Sequence, residues 1–105
     1  MASELNEDLT VVLQTALDLV TKERAEQHGD AIVQFEQIAA FWTVYLSGQG
    51  LLPYGGIKAE HVAHMMVLMK ISRSVLGSFH QDNYIDGAGY MALAYAVRKG
   101  QTNVD

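Results

Sequence analysis

The sequence predicts an all-α protein, a four-helix bundle completed by oligomerisation, and three observations point there. Apolar residues recur at three- and four-residue steps through most of the chain. Serine, aspartate and glycine fall where such helices would start and stop. No stretch alternates apolar and polar residues as a half-buried strand does. With 105 residues, 50% of them hydrophobic, the chain makes a single domain with a modest core, small enough that a second copy would add to its stability.

Four helices are expected, over about residues 4–26, 31–46, 58–76 and 83–99. Ser3 opens the first, with Glu4, Glu7 and Asp8 near its positive end. Leu5, Leu9, Val12, Leu13, Ala16, Leu17 and Val20 give it one apolar face. Residues 21–27 read as solvated last turns, stopped by His28-Gly29. Asp30 caps the second helix, whose stripe is Phe35, Ile38, Ala39, Trp42, Tyr45 and Leu46. Trp42 belongs either to the core or, through its indole N–H, to a ligand. Residues 47–56 hold four glycines and the only proline, and form either a plain linker or a loop able to close over a ligand.

The third helix is apolar on nearly every side, so its own domain or a neighbouring subunit must bury it. Glu60, His61 and His64 share a side at its start, without two further ligands nearby for a histidine metal site. Lys70 lies in its apolar middle and either snorkels to solvent or faces the carboxylates of the next helix. Residues 77–81 make a short turn into the fourth helix. There Ala88, Ala92 and Ala96 form a small-residue stripe. Gly87 and Gly89 each cost about 1 kcal/mol of helix propensity, which close approach of a backbone or ligand would explain. Arg98, Lys99 and Gly100 end the helix, with a frayed tail beyond.

Chemistry concentrates at Asp82-Asn83-Tyr84-Ile85-Asp86 together with Lys70. Asp82 can cap the fourth helix, and Asp86, one turn on, projects from the same face. Two such carboxylates can hold a divalent cation, the cation can meet a phosphate, and Lys70 adds a positive charge. Asp82 alone could equally be only a cap. Asp86, inside an apolar segment, needs a partner or a purpose.

A net charge of −5 and the absence of a basic patch argue against nucleic acid as partner. With no cysteine there is neither a disulfide framework nor a thiolate metal site. The N-terminus lacks a signal-peptide core, and no apolar run is long enough to span a bilayer. A soluble, cytoplasmic protein without a membrane partner is expected.

His28-Gly29-Asp30, Phe41-Trp42, Tyr45-Leu46, the run from Val62 to Arg73 and the segment from Asp82 to Leu93 resemble a family of small phage and prophage helical domains. Those domains are similar to the MazG-like all-α nucleotide pyrophosphohydrolase class. The resemblance spans roughly residues 22–99. It implies a dimer or tetramer that binds a nucleoside triphosphate through Mg2+, for which Mn2+ can substitute, and hydrolyses it to monophosphate and pyrophosphate. Carried onto this chain, Glu60, Asp82 and Asp86 are the metal ligands, and Glu60, Lys70 and Asp86 the catalytic set. Asp30, Gln34, Trp42, Lys70, Arg73, Asn83, Tyr84 and Tyr90 are the ligand contacts, with Lys70 and Arg73 on phosphates and an aromatic ring on the base. The paired acids of that class, three residues apart on each of two helices, are not reproduced: Ala63 follows Glu60 and Ile85 follows Asp82. Fewer carboxylates hold magnesium less well. A second reading therefore stands beside the hydrolase, a phage-type sponge that sequesters a nucleotide second messenger of host antiviral defence. A third is a structural protein whose methionine-rich third helix is an assembly surface.

Overall fold

The computed structural model describes residues 2–23, 31–52 and 54–104. All its regular elements are helical. Helix α1 spans Ala2–Asp18 and continues as a π-helical turn over Leu19–Glu23. Helix α2 spans Ala31–Gly48, α3 Ala59–Leu76 and α4 Gln81–Val104. Four helices are thus present among the described residues, with boundaries that differ from expectation at both ends of α4. Gly100 does not stop α4, whose backbone stays helical to Val104. The expected stops at His28-Gly29 and the cap at Asp30 fall outside the described residues.

The helices are arranged as an open row. α3 and α4 form the most extensive pair, α1 packs chiefly on α4, and α2 packs on α3. The radius of gyration is 15.8 Å, against about 13 Å for a compact chain of this length. One buried cluster joins three of the helices: Ala31, Phe35 and Ala39 from α2, Ala59, Val62 and Ala63 from α3, and Tyr90, Leu93 and Ala94 from α4. Phe35 and Tyr90 meet with ring centroids 5.9 Å apart. Trp42 packs against this cluster, whereas Tyr45, expected beside it, is exposed.

Gly89 sets how α1 docks. A Cβ there would lie 3.1 Å from Cγ1 of Val20 and 4.0 Å from the Ala16 carbonyl, so the missing side chain lets α1 close on α4. The small-residue face is therefore at Gly89 and not on the predicted alanine stripe, since Ala92 and Ala96 are exposed. The single apolar face expected of α1 is divided. Ala16 is buried and Val12 and Val20 half-buried against α4, while Leu5, Leu9, Leu13 and Leu17 remain exposed. On α3, Met65, Leu68, Ile71, Val75 and Leu76 are likewise uncovered, so one copy of the chain does not bury that helix all round.

The α2–α3 connection is tied down by Thr43. Its hydroxyl donates to the Ala39 carbonyl at 2.8 Å and accepts the Ile57 N–H at 3.0 Å. The start of α3 is closed by His61, whose Nδ1 accepts the Lys58 N–H at 3.0 Å. That bond spends one orphan donor of the helix start inside the chain. No helix among the described residues is long and apolar enough to cross a membrane.

Candidate functional site

The corner between α3 and α4 holds an open cleft of about 690 Å3. Its geometry starts at Gly77, whose N–H donates to the Arg73 carbonyl at 3.0 Å and ends α3. A Cβ on Gly77 would meet that same carbonyl oxygen at 3.0 Å, so a larger residue at this exit would have to shift the carbonyl by a few tenths of an ångström. The chain then runs without regular structure through Ser78 and His80, with Ser78 Oγ and His80 Nε2 3.2 Å apart. The Asn83 N–H donates to the His80 carbonyl at 3.2 Å as α4 begins. Helix α4 therefore starts at Gln81, and Asp82 stands inside its first turn, not at the cap. A carboxylate there still favours the helix dipole.

On the floor of the cleft, Lys70 Nζ lies 2.9 Å from Asp86 Oδ2. Of the two readings of Lys70, the one facing the next helix is realised. Both side chains are largely buried, 11% and 22% exposed, so removing one partner costs more than it would in a surface ion pair, while each charge keeps some contact with water. Arg73, one turn along α3, also lines the cleft, as do Asp82 and Asn83 on α4. The formal charges of Lys70 and Arg73 cancel those of Asp82 and Asp86.

Several expected members are elsewhere. Glu60 accepts from Arg98 Nη1 at 3.3 and 3.4 Å. It precedes Lys70 by ten residues on the same helix, about 15 Å along its axis. The trio of Glu60, Asp82 and Asp86 is not assembled within this chain, and no three potential ligands of a metal ion converge among the described residues. Gln34 and Trp42 stand on α2, which contributes nothing to the cleft lining. Tyr90 is a core residue. Tyr84 is half exposed, its ring 5.8 Å from that of Phe79. Asp30 lies outside the described residues. Conversely, Ser72 on α3 lines the cleft, and so do Ser78 and His80, although the sequence reads residues 77–81 as a mere connector. The signal was the Ser-Phe-His run immediately before a helix with Asp and Asn in its first turn.

The two carboxylates suit Mg2+ that arrives on a phosphate, because this ion commonly takes one or two protein carboxylates plus substrate oxygens. They do not make a dedicated protein cage.

Fold and cleft define a small all-helical domain with a mixed-charge polar site at one helical corner. The chain belongs to the family described as a domain of unknown function, DUF6378, whose model matches residues 11–98. It is 39% identical over 82 residues to the Gene 55 protein of Mycobacterium phage L5, covering 78% of this chain and 49% of that protein. It is 33% identical over 79 residues to the Gene 55 protein of Mycobacterium phage D29, covering 75% of this chain and 48% of that protein. The chain thus spans about half the length of these phage relatives. They bear out the phage side of the sequence resemblance. No solved structure matches the chain.

Proposed function

We propose that the α3–α4 cleft binds the phosphate groups of a nucleotide delivered with Mg2+. The observation that carries this reading is the buried Lys70–Asp86 pair, flanked by Arg73, Asp82 and Asn83 around one cavity. Because the fixed charges cancel, a polyphosphate gains little by entering alone. An accompanying divalent ion, taken up by Asp82 and Asp86, removes the repulsion between those carboxylates and the phosphates. Arg73 then pairs with phosphate oxygens, for which its guanidinium geometry is suited. Lys70 holds Asp86 in place and presents its remaining N–H donors to the same ligand. Mn2+ substitutes for Mg2+ in this arrangement.

Retention of the nucleotide, as a sponge for a host-defence signal in the bacterial cytoplasm would need, is favoured by the fate of Glu60. With that acid committed to Arg98, one chain offers two carboxylates to the ion. The pyrophosphohydrolase reading rests on the MazG-like resemblance and on Asp82 and Asp86 sharing the cleft; there the ion would also activate water. A second copy that covers α1 and α3 belongs to either reading.

One experiment separates them. Protein is incubated with nucleoside triphosphates, cyclic nucleotides and ADP-ribose-type nucleotides, with and without Mg2+, then denatured and analysed by chromatography. Ligand depleted from solution by native protein and recovered intact supports storage. Monophosphate and pyrophosphate formed only with metal support hydrolysis, and a panel neither bound nor changed removes the nucleotide from the account.

A further inference from the structure

Beside the cleft lies an apolar groove of about 300 Å3, bounded by Val67 and Ile71 on α3 and by Tyr84, Gly87 and Met91 on α4. Lys70 and Asn83 line both cavities, so the polar cleft and the apolar groove share a wall. Asn83 is 9% exposed, and none of the described residues hydrogen-bonds its side-chain amide. No side-chain nitrogen or oxygen is sealed off without a partner, so the amide keeps its remaining surface on these cavities. The amide's donor and acceptor are therefore open to whatever enters these cavities.

We infer that this groove receives the heteroaromatic base of the nucleotide whose phosphates occupy the cleft, with the Asn83 amide hydrogen-bonded to the base edge. The inference rests on the phosphate-binding reading of the cleft and adds a specificity determinant to it. An amide offers N–H and C=O side by side, the arrangement that matches adjacent acceptor and donor atoms on a base. A bare polyphosphate has nothing to accept from one and donate to the other. Gly87 leaves the floor of the groove open: a Cβ there would make only an ordinary 3.9 Å contact with Lys70 Cβ. Tyr84, 48% exposed, places an aromatic ring at the rim where a base can stack.

The test compares Mg2+-loaded nucleoside triphosphates with Mg2+-loaded inorganic tripolyphosphate by titration calorimetry on the full chain. The parent should bind at least one nucleoside triphosphate ten or more times tighter than tripolyphosphate. Asn83→Leu should lower nucleoside triphosphate affinity more than tripolyphosphate affinity and so remove that preference, whereas Arg73→Ala should weaken both ligands to the same extent. Gly87→Ala, which places a methyl group in the groove without a clash, should raise the melting temperature and lower nucleotide affinity several-fold. It serves as the folded control should Asn83→Leu not fold. Equal affinity of parent for nucleotide and tripolyphosphate would overturn the base groove while the phosphate cleft stands. No binding of either would overturn the cleft reading and the groove with it.

Discussion

Lys70 and Asp86 are the residues on which the cleft depends. Each carries a charge in an apolar stretch of helix, and each answers the other across the α3–α4 contact. Lys70→Ala should leave Asp86 unpaired, costing about 1–2 kcal/mol in denaturant unfolding, between the values for exposed and buried pairs. It should also weaken nucleotide affinity at least tenfold; equal affinity in calorimetry would show that Lys70 serves packing alone. Replacing both partners, Lys70→Met with Asp86→Leu, should restore most of the stability without restoring binding. Asp86→Asn should abolish the Mg2+ dependence of binding or turnover, read by titration with and without the ion. The sequence singled out both residues, because a charge amid apolar neighbours demands a partner, but left Lys70 between solvent and the carboxylates of the next helix. Glu60 was not legible in the same way. An acid in the first turn of a helix reads identically whether or not an arginine 38 residues later folds back on to it.

The helices themselves could be read from spacing and punctuation, since a 3.6-residue period and a glycine after α3 are local signals. Which surface covers each apolar face is not local. For α1, Gly89 selects Ala16 and Val20 as the contact and leaves the leucines outside. The sequence shows a stripe but not the close approach that divides it. Likewise, residues 77–81 look like a connector because only the fold brings Ser78 and His80 into the same cleft lining as Arg73. The two glycines of α4 differ in a measurable way. Gly89→Leu should overpack the α1–α4 contact and cost about 1–3 kcal/mol. Gly87→Ala should stabilise α4 by up to about 1 kcal/mol through helix propensity. Thermal denaturation of both variants distinguishes a glycine needed for packing from one that leaves a groove open.

Among the described residues, the open row of helices leaves many large apolar side chains exposed. Leu5, Leu9, Leu13 and Leu17 lie a turn apart on α1, and Leu9 and Leu13 adjoin Phe79 and Tyr84 at an apolar groove of about 340 Å3. Contiguous exposure of this kind marks an interaction surface. The parent should sediment as more than one chain, and Leu9→Glu with Leu13→Glu should reduce it to a single chain with its α-helical circular dichroism retained. A parent that sediments as one chain at micromolar concentration would remove self-association from the account.

The docking of α1 chiefly on α4 has a kinetic side. Helices α2, α3 and α4 are joined to their neighbours in sequence order, so their contacts close short loops, whereas α1 reaches its partner across most of the chain. Among the described residues it buries only Ala16 and adds no residue to the buried cluster that joins the other three helices. Helix α1 can therefore detach while the other three remain folded, an opening cheaper than global unfolding. Amide hydrogen exchange should show α1 losing protection first, well before the Val62–Val67 and Ile85–Ala94 segments. The α3–α4 corner, with its ion pair and its cleft, would then keep its shape while the helix beside it comes and goes.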